Sequence, residues 1–270
     1  LTGLSKDPRA SLKGGLYHAE EAILNLDLVQ SLKKPAGFFD PSNPLNERLS
    51  NEDKEDEEEK PLAERSRNSR SPMLSFSNTD MAFSGNVMVA GSYHGFNIYN
   101  LDNQGHAELI SSVICPGGQG DVSIVGNLLI MSVEQNRGRI DCGLQGAGTE
   151  PNPERFRGIR IFDISDLKRP QQVGAVQTCR GSHTHSVVSG PDENGIIIVY
   201  NSGTSSVRDQ EELESCFEAI PGDNRTALFR IDVIEIPIAN PSQAKIVKSP
   251  TVFADPATGA LAGLWRGGDH

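Results

Sequence analysis

Between residues 80 and 253 the chain repeats itself. Asp80-Met81-Ala82-Phe83-Ser84-Gly85-Asn86-Val87-Met88-Val89 is matched by Asp121-Val122-Ser123-Ile124-Val125-Gly126-Asn127-Leu128-Leu129-Ile130. A looser copy reads His185-Ser186-Val187-Val188 and, after a longer turn, Gly195-Ile196-Ile197-Ile198-Val199-Tyr200. Short runs rich in Val and Ile, broken by Gly and Asn, are the signature of paired strands joined by tight turns. A third strand follows each pair, at 95–101, 158–164 and 227–233, and a fourth at 108–113, 172–177 and 245–248. Units of four antiparallel strands, recurring every few tens of residues, are the pattern of β-propeller blades. A β-sandwich would not need successive units to resemble one another. The expected fold is therefore all-β, a β-propeller with blades at about 77–115, 119–179 and 184–253 and an incomplete ring.

The flanking regions read differently. Residues 1–39 are expected to hold a short helix at 16–26 and an outer blade strand at 26–32. That strand is suggested because Asp27-Leu28-Val29-Gln30-Ser31-Leu32 and Pro35-Ala36-Gly37 echo a fourth strand with its Cys115-Pro116-Gly117-Gly118 exit. Residues 40–72 are dominated by charge, with the run Asn51-Glu52-Asp53-Lys54-Glu55-Asp56-Glu57-Glu58-Glu59-Lys60, and are expected to form a disordered acidic loop. The blade region spans 73–270. Its last residues, Gly267-Gly268-Asp269-His270, echo the Gly117-Gly118-Gln119-Gly120-Asp121 junction, as if another blade began there. The chain is thus expected to be the N-terminal part of a longer protein.

Charge removes some functions. With 36 acidic against 25 basic residues and a net charge of −11, a nucleic-acid binder held by phosphate contacts is excluded. No apolar run approaches the ~18 residues of a membrane span. No glycine-rich phosphate loop or Gly-x-Ser-x-Gly elbow occurs.

Four cysteines, none in a Cys-x-x-Cys pair, fall at equivalent places in two repeats. Cys115 and Cys179 end fourth strands; Cys142 and Cys216 sit in long insertions between second and third strands. In a blade those two connections share one face, so the pairings Cys115–Cys142 and Cys179–Cys216 are local and equivalent. Disulfides persist outside the cytosol, which points to a secreted, periplasmic or cell-surface protein. The chain starts at Leu1 with no signal segment, so a leader is expected to have been removed or to lie outside the fragment.

The third-strand elements Gly95-Phe96-Asn97-Ile98-Tyr99-Asn100-Leu101 and Gly158-Ile159-Arg160-Ile161-Phe162-Asp163-Ile164-Ser165-Asp166 resemble the repeats of LVIVD-repeat proteins. That resemblance covers roughly 77–253 and the segment 26–37. It implies a bacterial, exported or surface-associated propeller-like protein and does not imply an activity.

Candidate chemistry lies where one blade hands over to the next, because the first polar side chains of an inner strand can face a central axis. These are Asp80, Asp121, His183, His185, Asp269 and His270. His183 and His185, two apart on a strand, share a side, and imidazoles with nearby carboxylates suit Zn, Cu or Fe. The bland alternative is that they satisfy backbone groups around a wet channel. Glu134, Arg137, Arg139, Asp141, Arg180 and Arg208 read as surface ion pairs or a polar ligand site, and His94 and His106 as exposed turn residues. Two functions follow. One is a binding or interaction scaffold for a protein or small polar ligand, with the disulfide-held loops as its surface. The other is a metal-dependent oxidase or hydrolase with its divalent metal at the channel mouth.

Overall fold

A computed structural model describes residues 7–15, 18–39, 77–218, 225–228 and 230–252. It contains three four-stranded antiparallel sheets, each a sequential meander. The first comprises β1 (Asn78–Ser84), β2 (Val87–Ser92), β3 (Gly95–Leu101) and β4 (Ala107–Ile114). The second comprises β5 (Gly118–Val125), β6 (Leu128–Val133), β7 (Gly158–Asp163) and β8 (Gln171–Gln177), the third β9 (Thr184–Ser189), β10 (Ile196–Ser202), β11 (Asp232–Pro237) and β12 (Lys245–Lys248). No α-helix occurs among the described residues. The architecture is all-β and consistent with a β-propeller built of blades.

The repeat extends to backbone detail. The β1–β2 and β5–β6 turns use Gly85 and Gly126, both at φ +58°, each followed by Asn. Only glycine reaches this left-handed conformation without a steric cost. First strands of successive sheets adjoin, with β5 lying against both β1 and β9. Gly91 and Gly120 permit the closest approach: a Cβ at Gly91 would meet the Gly120 carbonyl oxygen at 1.8 Å.

Strand alternation explains how three sheets share two cores. On β6, Leu129, Met131 and Val133 face the first sheet and pack with Val89, Phe96 and Ile98. Leu128 and Ile130 face the other way, joining Ile159 and Ile161 against Ile197, Val199, Ile234 and Ile236 of the third sheet. The second sheet is therefore buried on both faces, as period-two side-chain direction requires. Outer strands β4 and β12 are largely exposed.

Three expectations change. The third strand of the last unit lies at Asp232–Pro237 rather than 227–233. Its register places Ile234 opposite Val199 and Ile236 opposite Ile197, burying both aliphatics against the second sheet. Residues 18–26 are not helical; Leu24 and Leu26 are 83% and 78% exposed, so no apolar face is buried to stabilise a short helix. Residues 26–32 form no strand. Instead, the Gln30 side-chain amide brackets Ala107 at the start of β4, accepting from its N–H at 2.7 Å and donating to its carbonyl at 3.3 Å. Further along, Lys34 donates to Asn78 and Phe38 is buried edge-on to His94. The acidic loop at 40–72 lies outside the described residues.

Candidate functional site

The connections expected to share one end do so, and both disulfides form. Cys115 bonds Cys142 across 27 residues and Cys179 bonds Cys216 across 37. Each ties a long connection, residues 134–157 or the described residues 203–218, back to the end of the preceding sheet's last strand. In the first sheet the same place holds only the Tyr93-His94 turn, whose Tyr93 carbonyl accepts from Gly117 N–H and Arg137 Nη2.

At the inner edge, the aspartates act as ties between sheets. Asp80 Oδ2 accepts the Val122 N–H at 3.1 Å, and Asp121 Oδ2 accepts the His185 N–H at 2.7 Å. The two contacts are alike: each carboxylate closes a backbone donor on the next sheet's first strand, at Val122 of β5 and at His185 of β9. Asp121 also pairs with His185 Nδ1 at 3.0 Å. Burial raises its carboxyl, but the His185 hydrogen bonds and charge outweigh that and hold it below the ordinary carboxylate range.

His183 and His185 are both present at this junction but serve different partners. His183 Nδ1 lies 2.8 Å from Glu134 Oε2 and its Nε2 lies 3.2 Å from Gln119 Nε2. Glu134, itself buried, accepts from the Thr204 N–H and hydroxyl, each at 2.7 Å. His185 is fully buried, and Ser132 Oγ at 2.9 Å shares the same Nδ1 that faces Asp121. A nucleophilic triad needs serine and carboxylate on opposite ring nitrogens; this Ser-His-Asp group does not have that form. Asp269 and His270 lie outside the described residues. Among those described, no three His, Cys, Asp or Glu side chains come together as a metal-ligating group.

The largest departure from the sequence reading is a set of buried arginines. Arg155, Arg157 and Arg160 are fully buried and Arg208 nearly so. Glu212, also buried, accepts from Arg155 Nε at 2.7 Å and the Asn152 N–H at 2.7 Å with Oε1, and from Arg208 Nε at 2.9 Å with Oε2. Arg208 in turn donates to Gln177 and to the Arg155 carbonyl. This clasp joins the two long connections to each other. Arg160 stacks over the Phe156 ring at 4.1 Å, and burial pushes its guanidinium down to about 10.

Of the six residues expected as surface ion pairs, three are interior and Arg137 and Arg180 are half-buried. Glu134, Arg139 and Arg208 are buried, though Arg139 reaches the exposed Asp141 at 2.8 Å. His94 is buried rather than exposed, while His106 is partly exposed and pairs with Asp102 at 3.0 Å. The signal available in the sequence was Arg160, which occupies an interior position of a strand whose neighbours Ile159 and Ile161 are core residues.

No known protein-family model matches the chain, and no curated protein matches it. No helix among the described residues is long and apolar enough to cross a membrane.

Proposed function

We propose that this protein is an exported β-propeller scaffold, secreted, periplasmic or on the cell surface, that binds a protein or a small polar ligand. The recognition surface is the end carrying connection 134–157 and the described residues 203–218 of the following one. One observation carries this reading: both connections are pinned at their bases by disulfides and to each other by Glu212 between Arg155 and Arg208. Preordered loops on a rigid sheet framework lose little entropy on binding. The LVIVD-type motifs at 95–101 and 158–166 and the disulfides support the exported setting.

The test is a binding screen with peptides, sugars and organic acids. It compares the oxidised chain with a variant whose two connections are cut to Gly-Asn turns. Ligands retained only by the intact chain are expected; a ligand held equally by both would overturn the reading. The rival, a metal-dependent oxidase or hydrolase on His183 and His185, predicts stoichiometric metal that is lost in a His183→Ala/His185→Ala variant. Separate carboxylate partners for the two imidazoles favour the scaffold.

A further inference from the structure

Arg157 ends the first long connection, one residue before β7. Its Nη1 is fixed by Asn136 Oδ1 at 2.9 Å, Ser205 Oγ at 2.7 Å and the Ser206 carbonyl at 3.0 Å. The side chain is fully buried, yet Nε and Nη2 have no hydrogen-bond partner. Those two donors point the same way and form the side-on fork by which arginine grips a carboxylate. An unsatisfied buried donor carries its full desolvation cost, so two on one cation are conspicuous.

Charge around the fork is unbalanced. Glu212 spends both oxygens on Arg155, Arg208 and Asn152. The other nearby acid, Glu150, is about one-third exposed. Its Oε1 stands 3.9 Å from Arg157 Nη2 and 3.7 Å from Arg155 Nη1, too far for a hydrogen bond. Arg155, Arg157 and Arg208 therefore face one committed carboxylate and one held at a distance. The other buried guanidiniums are engaged: Arg160 has both Nη atoms bonded and its face on Phe156, and Arg139 pairs with Asp141 and Glu154.

We propose that the Arg157 fork is a binding site for a ligand carboxylate, with Glu150 as the gate residue that occupies its outer approach until displaced. This rests on the scaffold reading and names the ligand chemistry of its surface. Both walls come from the clasped connections, Glu150 from one and Ser205 and Ser206 from the other. A carboxylate entering past Glu150 would meet two parallel donors already oriented by Asn136 and Ser205.

The experiment titrates sodium acetate and sodium formate into the oxidised full chain, following the Arg157 Nε–H resonance by NMR and heat by calorimetry. Sodium chloride at equal ionic strength is the control. Saturable binding by both carboxylates is expected. Glu150→Gln removes the competing charge at a partly exposed position and should tighten acetate about tenfold, the equivalent of ~1.4 kcal/mol. Arg157→Lys keeps charge but loses the fork, and should abolish saturation. A short peptide with a free C-terminus, compared with its amide, distinguishes a peptide-borne carboxylate from a free organic acid. An equal response to chloride, or unchanged acetate affinity in Glu150→Gln, would overturn the proposal, even if Arg157→Lys failed to fold. Neither result bears on the screen against the loop-shortened variant, so the scaffold reading fails or stands separately.

Discussion

Replacing Glu212 tests whether the two connections behave as one unit. Its carboxylate is fully buried and serves three donors at 2.7–2.9 Å, two of them buried guanidiniums. Truncation to Ala leaves Arg155 and Arg208 without their shared counter-charge. Breaking a buried pair in this way typically costs about 3–5 kcal/mol. Gln keeps one acceptor oxygen and the shape but loses the charge, so about 2–3 kcal/mol is expected, close to one charge-assisted hydrogen bond. Urea unfolding should show a lower midpoint with an unchanged slope. Hydrogen exchange should speed up in both 146–153 and 206–213, because each connection leans on the other. A loss below about 1 kcal/mol for Glu212→Ala, or faster exchange in only one connection, would refute the clasp. Acid should mimic the substitution. Burial raises the Glu212 carboxyl, but hydrogen bonds from Arg155, Asn152 and Arg208 outweigh it and hold it low. Its contribution is therefore complete above the ordinary carboxylate value and lost as pH falls through the lowered one.

Other outcomes follow from the same contacts. Cys142→Ser opens a 27-residue loop and Cys216→Ser a 37-residue loop; loop-closure entropy puts the losses near 3.5 and 4 kcal/mol, measurable by thermal or urea unfolding. Stability should decline from pH 6.5 towards 4, because burial first, and the Arg137 charge second, push His94 down to about 4. The unfolded chain takes up that proton earlier, at a cost approaching about 3 kcal/mol, and His94→Phe should flatten this part of the profile. Asp121→Ala removes the acceptor of the His185 N–H and should cost about 1–3 kcal/mol, whereas Asp121→Asn, which can keep that bond, should cost less.

Much of the fold is legible in the sequence because blades are built from short-range signals. Gly85-Asn86 and Gly126-Asn127 mark equivalent turns, and the alternation of 128–133 already separates the two faces that become two cores. The disulfide pairings follow from topology, since equivalent insertions return to equivalent strand ends. The third strand of the last unit is not legible because residues 227–238 hold two overlapping aliphatic runs; cross-strand burial of Ile234 and Ile236 chooses between them. The site is less legible. Arginine is seldom fully buried, and what partners Arg155 and Arg208 in the interior is Glu212, more than fifty residues from Arg155; Arg157 is held instead by Asn136, Ser205 and Ser206. Nor does His-x-His spacing reveal that His183 turns to Glu134 while His185 turns to Asp121.

Peptide mapping of the oxidised, unreduced protein tests the central claim most directly, namely that successive four-stranded units present their long connections at one common end. The account predicts two linked peptide pairs, Cys115 with Cys142 and Cys179 with Cys216. Recovery of Cys115 joined to Cys179, or of four free thiols, would contradict it.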